Sequence, residues 1–365
     1  MKTRLRYSIA LVLLLIPALM IGSNSDGWRG KHTKEKTIKK EFTVNKDALL
    51  KVNNSFGNID VVTYDGSTIS IEVNIKTNSN DEDKAQKKLD DITVEFNGSS
   101  SLVEATTKFN KNKSNNWWNW GKNNNVNMEI NYVIKLPITN SVDLNNDYGS
   151  INLDKLEGRA SINCDYGQIT TKELMADNNS LNFDYTNNSY FAYVKSGKIS
   201  ADYSSYTVGK TKNLQVNADY TKSTIEVAED VDYNCDYGSF HVEKANNVRG
   251  NGDYLTLRLG DIYKNVGIKA DYGSIEIKQM TANSGNVTIE SDYAGITIGY
   301  SSGYNFSFDI DLEYASLRDK DDLEISKQRI ESSNKYYAGY YGNANSGNLI
   351  KINSDYGSVS LKKIN

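Results

Sequence analysis

Carboxylates recur along this chain at a nearly constant spacing, and a tyrosine follows each one. Asp-Tyr occurs at Asp147-Tyr148, Asp165-Tyr166, Asp184-Tyr185, Asp202-Tyr203, Asp219-Tyr220, Asp236-Tyr237, Asp253-Tyr254, Asp271-Tyr272 and Asp292-Tyr293; Glu313-Tyr314 is a near copy and Asp355-Tyr356 closes the series. Paired carboxyls are the chemistry of glycoside hydrolysis, which needs two of them roughly 5 to 10 Å apart. Stacked strands lie ~4.8 Å apart, so such a ladder offers a suitable pair at every step and singles out none. Sites of that kind also recruit Arg, Lys or His from irregular loops, and these repeats are uniform. The ladder therefore reads as a structural corner, ahead of calcium binding and of catalysis. The nonapeptide calcium signature G-G-x-G-x-D is missing from the repeats.

Other chemistry is scarce. There are two histidines, His32 in a polar lead and His241 four residues after a ladder tyrosine. A Ser-His-Asp constellation has nothing firm to build on, and two histidines with two cysteines four repeats apart do not make an ordinary zinc site. No phosphate-binding G-x-x-x-x-G-K-[ST] occurs. No catalytic residue, metal or cofactor is expected. Two aromatic clusters interrupt the repeats and are the candidate ligand-binding residues: Trp117, Trp118 and Trp120, flanked by Lys111, Lys113 and Lys122, and Tyr336, Tyr337, Tyr340 and Tyr341. Exposed aromatic rings are costly in water. Each cluster is read either as a contact patch or as a lid over an open end.

The elements that position these residues follow from the repeat. Tyr-to-Tyr steps are 18, 19, 18, 17, 17, 17, 18, 21, 21 and 42. A fixed period near 20 marks a repeat architecture. With the tyrosine as zero, apolar residues fill position −4 (Leu144, Ile162, Leu181, Ile199, Val216) and small ones position −2 (Cys164, Ala201, Ala218, Cys235). Apolar residues then return at +3 and +5 (Ile151 and Leu153, Ile275 and Ile277). Side chains alternate faces along a strand, so this switch of parity demands a corner. Gly-Ser at +1 and +2 has the turn chemistry to supply it. The expected fold is all-β, a single-stranded, right-handed β-helix-like solenoid with ~18-residue coils. Its rings either point inward or line the corner as a stack.

The 365 residues divide into a signal peptide (1–22), a flexible polar lead (23–40), an irregular β-solenoid part with a helical insert and the Trp loop (41–141), and the regular repeat (142–365). Lys2, Arg4 and Arg6 precede an apolar run from Ile9 to Ile21, too short to span a membrane comfortably. The opening coil sits near residue 50, with Phe56 in the tyrosine role. Residues 80–91 read as a short helix, and residues 319–347 as an excursion replacing one repeat. Two prolines, Pro17 and Pro137, suit a chain whose amides serve a ladder. Cys164 and Cys235 share one register four coils apart, ~19 Å, beyond disulfide reach, so two free buried thiols are expected. A net charge of −4 leaves no basic footprint for nucleic acid.

The repeated Asp-Tyr-Gly-Ser-Ile, the opening Asn-Ser-Phe-Gly-Asn-Ile (54–59), the strand into Leu136-Pro137 and the closing Ser354–Val359 resemble the bacterial putative adhesin family, across roughly residues 41–365. The family's secreted β-solenoids are similar to the head domains of auto-transporter adhesins. The resemblance implies an exported, non-enzymatic binding or structural protein of the cell envelope. Its expected location is the periplasm or cell surface, with a glycan or envelope protein as partner and no membrane span in the mature chain. A polysaccharide-active β-helix enzyme and a periplasmic scaffold or regulatory protein are the alternatives. The ladder tyrosines 148, 166, 185, 203, 220, 237, 254, 272, 293, 314 and 356 are assigned to the corner rather than to binding.

Overall fold

The computed structural model describes Trp28, residues 30–110 and residues 126–364. Among these, 25 strands join into one continuous sheet, accompanied by one α-helix. The fold is an all-β solenoid. The signal segment and Trp117, Trp118 and Trp120 lie outside the described residues. No helix among the described residues is long and apolar enough to cross a membrane.

In the regular part each coil lies parallel on the next, in register. Leu144, Ile162, Leu181, Ile199 and Val216 are successive rungs of one row. Phe240, Leu257, Ile275 and Ile296 form a row on the next face. Both rows are buried, so the parity switch is real: even positions face the core before the tyrosine and odd ones after it. Cys164 and Cys235 are free and buried. Burial pushes each thiol up to about 12.

The chain does not run through the coils in sequence order at either end. Strands β2 (Leu49–Ser55) and β3 (Ile59–Tyr64) form the Phe56 coil and lie directly against β8 (Ser141–Asp147) and β9 (Ile151–Leu153). Their outer edges pair with β6 (Leu102–Phe109) and β7 (Val126–Pro137). The intervening segment thus caps the N-terminal end, which a solenoid requires. It adds β4 (Thr68–Ser79) antiparallel to β7 and β5 (Ile92–Gly98) antiparallel to β6. Helix α1 (Glu82–Asp91) is capped by the Asp81 carboxylate, which accepts the Lys84 N–H, and buries Ala85 and Leu89.

The lead expected to be flexible is structured from residue 32. His32–Thr43 is strand β1, paired along all twelve residues with β4. His32 opens this strand, 3.9 Å from Glu82. Lysine-rich composition signalled exposure and was misread as looseness. Ile38 and Phe42 pack on the core, and Lys34–Glu82, Lys39–Glu72 and Glu35–Lys76 pair across elements at 2.6–2.9 Å.

The late excursion does not replace a coil. Strand β20 (Phe306–Glu313) pairs on one side with β23 (Asn334–Tyr341), which β22 (Glu324–Glu331) covers in turn, all antiparallel. On its other side lies β24 (Leu349–Asp355), which together with β25 (Val359–Ile364) also pairs with β19 (Val287–Ser301). The last coil in sequence is therefore next to last in space. Residues 319–347 build the C-terminal cap.

Candidate interaction surface

The corner is made by the tyrosine, not by the glycine after it. Every ladder tyrosine has a left-handed backbone, with φ between 49° and 58°, and Phe56 follows at 65°. That conformation costs a residue with a side chain about 1–2 kcal/mol. Backbone pairing and ring stacking offset it. The Tyr148 N–H donates to the Asp165 carbonyl at 2.9 Å, and the pattern repeats through Tyr254 to Asp271. The glycine is needed for space: a Cβ on Gly149 would lie 1.9 Å from the Gly57 carbonyl oxygen, and one on Gly167 2.0 Å from that of Gly149.

Position zero falls between the last core-facing even position and the first core-facing odd one, so neither parity buries it. The rings stand outside, between 44% and 59% exposed. They stack face to face in one continuous row: Phe56, then Tyr148, Tyr166, Tyr185, Tyr203, Tyr220, Tyr237, Tyr254, Tyr272, Tyr293, Tyr356 and Tyr314. Centroids are 4.6–5.3 Å apart, with planes within 10° of parallel. Such pairs contribute about 0.5–1.5 kcal/mol each beyond area burial. Neighbours cover the faces of the inner rings, so the row offers ring edges and hydroxyls. Among the described residues no ladder hydroxyl has a hydrogen-bond partner within the protein. Tyr166, Tyr237, Tyr272 and Tyr356 are held above the ordinary phenol value, by desolvation first and by neighbouring rings and carboxylates second.

Beside the rings runs the acidic row. From Asp165 to Asp271, each carboxylate accepts the backbone N–H of the next coil's aspartate at 2.8–3.3 Å. Elsewhere acids pair with cations across coils, as in Lys155–Glu173 at 3.0 Å and Lys269–Glu290 at 2.9 Å. No ladder carboxylate has such a partner among the described residues. Burial, then the adjacent carboxylates, raises Asp292 above the usual range. Burial is likewise the largest cause raising Asp184; the Asp202 N–H opposes it, and the Asp202 and Asp165 charges add to it.

The other candidates fare differently. Tyr337 is buried, which removes it as a contact residue, and Tyr341 packs on Tyr300 and Phe306. Tyr336 donates to Asp309 at 3.0 Å. Tyr340 lies half-buried on the same strand. These rings close the C-terminal end. A shallow cleft of about 410 Å³ at the other end of the ring row is lined by Trp28, Asn58, Met128 and Glu129 beside Phe56 and Tyr148. The sequence left open whether the rings point inward or line the corner as a stack; they line it. The signal was present in the parity count, which assigns the tyrosine to neither buried set.

No family model and no curated protein matches the chain. Thirteen chains of solved structures do. The chain is similar over 92% of its length to 98% of a putative adhesin from Parabacteroides merdae, at 12% identity and a TM-score of 0.34. It is similar over 91% of its length to the whole of a putative cell adhesion protein from Clostridium sporogenes, at 12% identity and a TM-score of 0.19. A putative lipid binding protein from Parabacteroides distasonis aligns with 90% of this chain and 97% of its own, at 10% identity and a TM-score of 0.29.

Proposed function

We propose that this protein is an exported, non-enzymatic binding rod of the bacterial cell envelope, whose contact surface is the Tyr-Asp ribbon. The observation that carries this reading is the row of eleven exposed tyrosine rings, stacked on from the half-buried Phe56, beside a row of carboxylates with no cation paired to them among the described residues. Adjacent unit charges one rung apart repel by roughly 1 kcal/mol even in water. A partner that brings positive charge relieves this along the whole rod. Ring edges and free hydroxyls add apolar area and hydrogen bonds at the same ~4.8 Å repeat. The partner that fits is an extended basic surface, such as a lysine-rich segment of an envelope protein. A neutral glycan needs an open ring face for stacking, and the inner rings present none.

The test is binding of the full chain to immobilised poly-lysine and to a neutral glycan array, with wild type and the triple variant D219N/D236N/D253N. Asparagine keeps the acceptor for the next coil's amide and removes the charge. The reading expects poly-lysine binding that weakens at least tenfold in the variant and falls with added salt. Equal binding by both proteins, or a preference for the neutral glycans, would overturn it.

A further inference from the structure

The closing coil, β24 with β25, occupies a slot whose two walls are joined to each other without it. Residues 302–305 connect β19 directly to β20, while the coil between them arrives 43 residues later, counting from Phe306 to Leu349. In the slot, Ile350, Ile352, Val359 and Leu361 are fully buried, and the coil pairs on both sides. Its approach is a short segment, residues 342–348. Gly342 and Gly347 there have φ of 67° and 82°, which glycine adopts without strain.

We propose that this coil is exchangeable, and that its second acceptor is the matching slot of another copy of the same chain. Withdrawing it breaks no connection between the flanking coils. A coil from a second copy makes the same contacts in the slot: Ile352 between Ile289 and Ile310, and Tyr356 between Tyr293 and Tyr314. Exchange of identical elements leaves the hinge and the association as the terms that differ. The seven hinge residues span up to roughly 23 Å when extended, enough to cross from one rod end to another placed beside it. Two rods so joined would present two ribbons in one assembly and raise the effective concentration of the second contact.

Ser291 and Ser354 face each other across the slot with their hydroxyls 3.5 Å apart, on directly paired parallel residues. A full-length S291C/S354C protein, refolded and oxidised at low and at high protein concentration, separates the two arrangements on a non-reducing denaturing gel. Exchange gives a covalent dimer whose share rises several-fold with concentration, while S291C and S354C alone give little. An internally linked monomer at every concentration overturns the proposal, as does equal dimer in the single variants. Light scattering of refolded wild type gives an independent readout: a dimer that persists on dilution supports exchange, and a monomer throughout contradicts it.

Discussion

Tyr293 stacks on Tyr356 at 4.6 Å, although 63 residues separate them and Tyr314 comes between them in the chain. The ring row is thus continuous in space where the sequence is not. Its geometry is set by the rungs of the solenoid rather than by chain order.

The left-handed tyrosines yield a prediction with an unusual sign. At Tyr220, with φ of 51°, alanine loses the stacking and keeps the backbone strain, whereas glycine loses the stacking alone. Y220G should therefore be less destabilised than Y220A, by about 0.5–1 kcal/mol. Denaturant unfolding of the two variants measures this; a more stable Y220A would show that the corner is not strained.

Gly167 tests close approach. Its added Cβ would lie 2.0 Å from the Gly149 carbonyl oxygen. G167A should lower stability by about 2 kcal/mol or more, within the range of overpacked sites, whereas an alanine at Gly295, where nothing lies within 4 Å, should change little. Thermal unfolding of both variants checks the contrast.

The phenols predict an alkaline limit. Tyr166, Tyr237, Tyr272 and Tyr356 are raised by desolvation and by their neighbours. The folded state then holds these protons longer than the unfolded chain. Stability is intact below the unfolded value near 10 and declines as pH rises through it towards the raised folded values. Ultraviolet titration should show tyrosinate forming late and over a broad range. A sharp transition at the free-phenol value would contradict the stack.

Asp292 gives the acid counterpart. Its folded value is raised by desolvation and then by Asp271 and Asp355. Its charged form is therefore disfavoured in the fold above the usual carboxylate range, and that cost disappears as pH falls below it. D292N should melt slightly above wild type at pH 7, with the difference closing near pH 3. A wild type more stable than D292N at neutral pH would mean that the carboxylate is favourably partnered.

Much of the fold was legible in the sequence because period and parity are direct consequences of strand geometry. Leu144 and Ile151 could be placed in the core before any coordinates, as could Phe56 in the tyrosine role. The order of coils was not legible, since Tyr314 and Tyr356 carry nearly the same motif and nothing local says which lies outermost. Strand β1 escaped because its register comes from pairing with β4 and not from its own apolar pattern. The outward orientation of the rings was only half legible, because one residue type both turns the chain and faces solvent.

The central claim is that the ring row itself meets the partner. Tyrosine iodination mapped by mass spectrometry, on the protein free and bound to envelope fragments, tests it most directly. The ladder tyrosines should lose reactivity together on binding, while Tyr190 and Tyr263, comparably exposed but outside the ring row, keep theirs. Ladder tyrosines that stay as reactive in the bound protein as in the free one would contradict the account.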